Sequence, residues 1–160
     1  MPSEGIERNK YLKSKFGSKE ISDSIYKRVE NKGKLSNIHF QFNKIKNTPN
    51  TFLSHKLLAY GYGKNKQTDV LELLFYEYFI EGSDIGSLKT LIKIAKQTKI
   101  YDKNIKNYLL STQDKENLLN EEEQARKIGI TGVPCFIFNK EYVISGAQPK
   151  ETFIKIINSI

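Results

Sequence analysis

Cysteine is almost absent from this sequence: Cys135 is the only one among 160 residues. A single cysteine excludes a disulfide within the chain, a Cys-x-x-Cys redox pair and any metal site built from several cysteines. We therefore expect neither a metal nor a cofactor.

Arginine is also scarce, with Arg8, Arg28 and Arg126 against 23 lysines. The net charge of +8 would suit a nucleic-acid-binding protein. Specific recognition of phosphates and bases, however, favours the rigid guanidinium of arginine over the point charge of lysine. The lysines are scattered and form no basic block, so we predict a solvated lysine surface and no nucleic-acid partner.

Long hydrophobic runs are missing as well. No apolar stretch approaches the roughly 18 residues of a membrane span, and residues 1–8 are too polar for a secretory signal. The sequence therefore predicts a soluble, cytoplasmic protein with no membrane partner. The hydrophobic share of 38% and the length of 160 residues are enough for one domain with a core.

Most of the chain has the hydrophobic spacing of amphipathic helices. Two short helices are predicted between Leu12 and Val29, before a break at residues 31–34. Four more are predicted at residues 51–62, 67–81, 87–97 and 102–110. Ser111 and Asp114 resemble a capping box that opens a longer helix, which Gly129 ends.

Two segments show a strand pattern instead. Ile38, Phe40 and Phe42 alternate with polar residues, which predicts one short strand near residues 37–42. Residues 136–138 and 142–144 are β-type runs around the turn Asn139-Lys140, which indicates a hairpin, and a terminal helix follows Pro149. We therefore divide the chain into a mostly helical subdomain, 1–131, and a C-terminal hairpin and helix, 132–160.

The segment 129–135, Gly-Ile-Thr-Gly-Val-Pro-Cys, indicates a sharp, fixed turn into the hairpin. From the tripeptide Gly132-Val133-Pro134 alone, Pro134 could be an ordinary trans proline at the start of an edge strand. Together with Ser-Gly-Ala-Gln at 145–148, the segment resembles the C-terminal part of the DsbA-like thioredoxin family, in its FrnE-like branch. The resemblance extends through residues 1–5, 48–51 with His55, and 74–85, so it covers essentially the whole chain.

The resemblance implies an α/β thioredoxin-like fold with a large helical insertion, and protein thiol-disulfide oxidoreductase or isomerase activity. In the family a first strand, a Cys-x-x-Cys helix and a second strand precede the segment that matches Met1, which implies a sheet truncated at its N-terminus here. It also implies a cis proline loop that binds substrate, with Gly132, Val133, Pro134, His55 and Gln148 as the substrate-binding residues.

No catalytic thiol pair is present, because exchange needs a low-pKa thiolate and a second, resolving thiol. Cys135 is either a small buried hydrophobe or an atypical reactive thiol beside the loop. His55 could instead bond a backbone carbonyl between the helical block and the sheet.

Two alternative functions remain. One is a non-catalytic module that binds unfolded peptides as a chaperone does. The other is a glutathione-dependent isomerase or transferase of the kappa and 2-hydroxychromene-2-carboxylate type. The implied partners are protein thiols or unfolded peptides, with glutathione under the second alternative, and the sequence does not indicate an oligomeric state.

Overall fold

Eight α-helices and four short strands make up the chain in the computed structural model, which describes all 160 residues. They fall into two units, Met1–Lys115 and Glu116–Ile160. The predicted division of the chain at residue 131 stays a prediction about domain organisation. No helix combines the length and the apolar character that crossing a membrane requires.

The first unit contains six helices and one pair of two-residue strands. Antiparallel pairing places Ile6 opposite Thr48. In chain order, the elements are β1 (Ile6–Glu7), α1 (Arg8–Phe16), α2 (Lys19–Leu35), β2 (Asn47–Thr48), α3 (Phe52–Tyr62), α4 (Gln67–Phe79), α5 (Leu88–Gln97) and α6 (Ile105–Leu110).

The second helix is longer than the sequence indicates. The predicted break at residues 31–34 is wrong, because α2 continues through them to Leu35. A side chain would not fit at Gly33, because a Cβ at this position would lie 2.6 Å from the ring of Phe40 and 2.8 Å from the carbonyl oxygen of Ile38. The glycine allows the chain that follows α2 to pack directly against it.

The strand predicted near residues 37–42 is also wrong, since this segment is irregular and leads into a 3-10 turn at Phe42–Lys44. The N–H of Gln41 donates to the carbonyl of Phe79 at 2.8 Å, at the end of α4. The rings of Phe40 and Phe42 stack at 5.0 Å, and both lie edge-on to Phe79. The alternation thus places two aromatic rings on a helix end, with no partner strand beside them.

The capping box predicted at Ser111 and Asp114 does not form. The hydroxyl of Ser111 accepts from the N–H of Gln113 at 3.2 Å, and Asp114 has a positive φ and accepts from the Tyr108 hydroxyl at 2.8 Å. Both side chains are therefore engaged in the turn after α6. The next helix, α7, begins only at Lys115 and ends at Lys127.

The hydrophobic core lies among α3, α4, α5 and α6. Helix α5 supplies three completely buried residues, and every buried side-chain nitrogen or oxygen has a hydrogen-bond partner. The members of the core are Leu57, Val70, Leu74, Ile85, Leu91, Ile94, Ala95, Ile100, Ile105, Tyr108 and Leu109.

Three charged residues are buried in this helical unit, namely Arg8, Lys56 and Glu77. Lys56 is completely buried, and its Nζ donates to the carbonyl oxygens of Tyr108 and Ser111 at 2.6 and 2.7 Å. These carbonyls belong to the carboxyl end of α6, where helix carbonyls lack partners of their own. Lys56 therefore acts as a cap for α6, and its burial lowers the pKa of its ammonium group.

The second unit contains the predicted hairpin and terminal helix. It begins at Glu116, near the start of α7, and continues with β3 (Cys135–Phe138), β4 (Tyr142–Ser145) and α8 (Lys150–Ile157). Asn139 and Lys140 both have positive φ, and the N–H of Glu141 donates to the carbonyl of Phe138 at 3.0 Å. This confirms the turn at Asn139-Lys140, which has the dihedral signs of a type I′ turn.

Helix α8 packs on one face of this hairpin through Phe153, whose ring lies 4.8 Å from that of Phe136 and 6.4 Å from that of Phe138. Pairing places Phe136 opposite Ile144, which is buried on the same face. The hairpin has no third strand, so both of its edges lack a strand partner.

Candidate functional site

The loop that enters the hairpin starts from a well-defined helix end. Gly129 has a φ of +84°, and its N–H donates to the carbonyl of Arg126 at 3.0 Å. The N–H of Ile130 reaches back to the carbonyl of Ala125, also at 3.0 Å. This pair of bonds is the Schellman motif, which explains why Gly129 ends α7 as predicted.

The peptide bond between Val133 and Pro134 is cis. The carbonyl of Pro134 accepts from the N–H of Gly146 at 2.8 Å, which extends the ladder of the hairpin by one pair. Val133, in contrast, uses neither its N–H nor its carbonyl in a hydrogen bond, and its side chain is 90% exposed. The loop is therefore fixed at the proline and open at the residue before it.

The open backbone at Val133 continues along one edge of β3. Because Pro134 and Gly146 form a hydrogen-bonded pair, the alternation of an antiparallel ladder makes Phe136 and Phe138 the next residues that bond to β4. Cys135 and Ile137 then direct their N–H and carbonyl groups away from β4. Val133, Cys135 and Ile137 together present an unpaired strand edge, which we call the β3 edge.

An apolar surface lies beside the β3 edge. Ile137 and Val143 are paired across the hairpin on the face opposite Phe153, and they are 43% and 64% exposed. Cys135 lies on the same face, half-buried and opposite Ser145, and its thiol makes no hydrogen bond. A ligand strand added to the β3 edge would find this apolar face within reach of its side chains.

Gln148 occupies the other side of the hairpin. Its Nε2 donates to the carbonyl of Ser145 at 3.2 Å. In the same ladder, Ser145 pairs with Cys135 and points its carbonyl away from β3. Gln148 therefore covers a polar group on the outer edge of β4, and the structure does not place it on the edge that contains Val133.

His55 belongs to the first unit, whereas the loop belongs to the second. It is exposed on α3, and its Nδ1 lies 2.7 Å from the carbonyl oxygen of Thr51, the residue that caps the same helix. Its carbonyl partner is therefore local to α3. The sequence does not distinguish this local bond from a bond to a distant segment, because the same ring nitrogen of His55 could form either.

The sequence did not indicate several residues of the site. The sequence indicates Gly146 only as part of the segment Ser-Gly-Ala-Gln at 145–148, yet its N–H donates to the carbonyl of Pro134. Ile137 and Val143 were identified only as strand residues, although the one-sided packing of Phe153 leaves them exposed. No group of three or more His, Cys, Asp or Glu side chains comes close enough to hold a metal ion.

Comparisons with known proteins agree on one fold. The family model described as DSBA-like thioredoxin domain matches residues 1–158. The chain is similar in structure to a probable DsbA oxidoreductase from Streptomyces coelicolor, with a TM-score of 0.84 and 20% identity over 96% of this chain and 66% of that one. It therefore spans just under two thirds of that relative's length.

A second solved structure, of a candidate protein disulfide isomerase from Nitrosomonas europaea, matches with a TM-score of 0.69 and 15% identity. That match covers 89% of this chain and 74% of the other. No curated protein matches the sequence. At these identities the two structures establish the thioredoxin-type fold of the chain.

Proposed function

We propose that this chain, which belongs to the family of DSBA-like thioredoxin domains, binds extended polypeptide segments of thiol-containing proteins at its β3 edge. In this proposal the chain provides the substrate-binding part of a protein thiol-disulfide oxidoreductase of the FrnE-like branch. One cysteine cannot both attack a disulfide and resolve the product, so the chain on its own binds without redox turnover.

The observation that carries the proposal is the unpaired backbone at Val133, continued by Cys135 and Ile137. A row of free N–H and carbonyl groups is the template on which an extended peptide adds as a further strand. The side chain of Gln148 covers part of the β4 edge, which favours the β3 edge as the binding site.

A matched pair of proline substitutions tests this choice. Ile137→Pro removes an N–H that points outward from the β3 edge, and Val143→Pro removes an N–H that points outward from the β4 edge. Proline is tolerated at such edge positions because the ladder of the hairpin does not use those donors. We expect Ile137→Pro to weaken binding of a fluorescent, unfolded peptide by about tenfold, because one or two backbone hydrogen bonds to the peptide are lost. Val143→Pro should weaken the same binding by less than about twofold.

Equal losses in the two variants would contradict the proposal. Should either variant lose its circular dichroism spectrum, amide chemical shifts of the wild-type chain provide a second measurement. Peptide addition is expected to move the amide signals of Val133, Cys135 and Ile137, and peptide-induced shifts confined to β4 would rule out binding at the β3 edge.

Redox turnover is the second part of the test. We expect the chain to suppress aggregation of reduced insulin and to show no insulin reduction with glutathione. Cys135→Ser should weaken peptide binding far less than Ile137→Pro, because it keeps every backbone donor and acceptor of the β3 edge. Turnover that Cys135→Ser abolishes would instead support a reactive thiol at the edge and would refute binding without catalysis.

A further inference from the structure

The first unit carries a groove that the sequence did not reveal. This open groove has a volume of about 700 Å³ and is lined by α5 and α6. Its lining includes two half-buried apolar residues and four lysines, which are Leu88, Ile92, Lys89, Lys93, Lys96 and Lys106. Lysines of two consecutive helices therefore face one space.

Three of these lysines form a row along α5. Lys89, Lys93 and Lys96 occupy positions i, i+4 and i+7, so they share one helix face over about 10 Å. Lys93 pairs with Glu77, with 2.5 Å between Nζ and Oε1. Lys89, Lys96 and Lys106 take part in no ion pair, so the groove keeps three uncompensated positive charges.

An apolar strip lies next to this row. Leu88 and Ile92 are four residues apart, so they follow the lysines along the same stretch of helix. The opposite face of α5, with Leu91, Ile94 and Ala95, is completely buried and holds the helix in the core. The groove thus combines an apolar strip with a positively charged rim on a rigid element.

We propose that this groove docks an acidic amphipathic helix of a partner protein. Carboxylates at i, i+4 and i+7 of such a helix match the spacing of the lysine row, and apolar residues one position away reach Leu88 and Ile92. A single small anion would meet only one or two of the lysines. A nucleic acid would leave the apolar strip facing sugars and phosphates.

The test is a binding titration with the full chain. The probe is a fluorescein-labelled helical peptide of about four turns with Glu at the stated spacing and Leu beside it; a second probe carries Gln in place of each Glu. The groove variant is Lys89→Glu, Lys96→Glu and Lys106→Glu together. Its control is Lys27→Glu, Lys32→Glu and Lys34→Glu, which changes the net charge equally at exposed positions of α2.

We expect the groove variant to weaken binding of the Glu probe by at least about tenfold and the α2 variant by less than about twofold, since complementary contacts and diffuse charge differ in this way. The Gln probe should bind the wild-type chain at least about tenfold more weakly than the Glu probe. On binding the Glu probe, amide signals of α5 and α6 in the wild-type chain should shift, which keeps the test independent of the folding of any variant.

Three results would overturn the proposal. Equal weakening in the two charge-reversed variants would indicate diffuse attraction to any lysine surface. Absence of binding by the wild-type chain would exclude the partner. Displacement of the probe by a single-stranded oligonucleotide at equal charge concentration would assign the groove to nucleic acid. Because the β3 edge lies in the other unit, none of these results changes the outcome expected for the proline variants.

Discussion

The first unit encloses a hydrophobic core, whereas the second unit leaves most of its hydrophobic side chains exposed. In the first unit, α5 alone buries Leu91, Ile94 and Ala95 completely. In the second unit, Ile144 is the only buried hydrophobic residue, and Val133 and Val143 are largely exposed. Val133 belongs to the unpaired β3 edge and Val143 to the apolar face beside it, so the region proposed to bind is also the region that buries least. Surfaces that serve binding commonly sacrifice stability in this way.

The largest expected effect contrasts a buried with an exposed residue. Leu91→Ala leaves a cavity in a closed core and should lower the free energy of unfolding by about 2–5 kcal/mol. Val143→Ala, on the open face of the hairpin, should cost less than about 1 kcal/mol. Urea denaturation followed by far-ultraviolet circular dichroism measures both. Similar losses would mean that the two units do not differ in packing as described.

Two glycines provide a second contrast. Gly33→Ala places a methyl group against the Phe40 ring and the Ile38 carbonyl, and should destabilise the chain by about 1–3 kcal/mol in spite of the higher helix propensity of alanine. Gly132 has no heavy atom within 4 Å of the same added group, so Gly132→Ala should change stability by less than about 0.5 kcal/mol. Thermal unfolding of both variants decides this, and a neutral Gly33→Ala would contradict the close packing after α2.

The helical unit contains one carboxylate, Asp102, whose ionisation should make stability depend on pH. The Tyr60 hydroxyl, which donates to Asp102 at 2.6 Å, together with the N–H of Asn104 and the ammonium of Lys64, lowers the pKa of Asp102 to about 2. A carboxylate whose pKa is lower in the folded than in the unfolded chain stabilises the folded chain above about pH 4. That stabilisation is lost as the pH falls towards 2.

The corresponding variants are Asp102→Asn and, as a control, Asp23→Asn, whose carboxylate is exposed and forms no ion pair. Asp102→Asn should flatten the loss of stability between about pH 4 and pH 2, measured as urea midpoints at each pH. An unchanged pH profile in Asp102→Asn, or an equal flattening in Asp23→Asn, would contradict the assignment.

The smallest expected effect concerns the hairpin turn. Lys140 has a φ of +62°, which costs a residue with a side chain about 1 kcal/mol. Lys140→Gly should therefore stabilise the second unit by about 0.5–1 kcal/mol and increase hydrogen-exchange protection of β3 and β4. Lys140→Ala keeps the penalty and should bring no gain. If alanine stabilised the hairpin as much as glycine, the positive φ would not be the cause.

Sequence reasoning succeeded where local chemistry decides the structure. The Asn139-Lys140 turn and the end of α7 at Gly129 depend on neighbouring residues, and both were predicted. It failed at residues 37–42, because a period of two in hydrophobicity also arises when aromatic rings pack on a helix end. The prediction of a break at residues 31–34 failed because the approach of Phe40 to Gly33 cannot be read from composition.

The site was predictable only in part. Residues 129–135 identified the loop before the hairpin, and the free backbone of Val133 became apparent only when each hydrogen bond of the hairpin was assigned. The resemblance places Gln148 among the substrate-binding residues, yet its side chain donates to the carbonyl of Ser145, on the opposite edge of the hairpin. Strand edges are set by pairing between segments, which a linear pattern does not specify.

The sequence alone is enough to show that this chain has no thiol pair, that most of its helices precede a hairpin, and that lysine carries most of its positive charge. These follow from residue counts, local turn chemistry and hydrophobic period. Three further features require the folded chain: α2 continues through Gly33, the edge at Val133 stays unpaired, and lysines of α5 and α6 share one groove. Each of these depends on which distant segments come into contact, and contact between distant segments is a property of the fold.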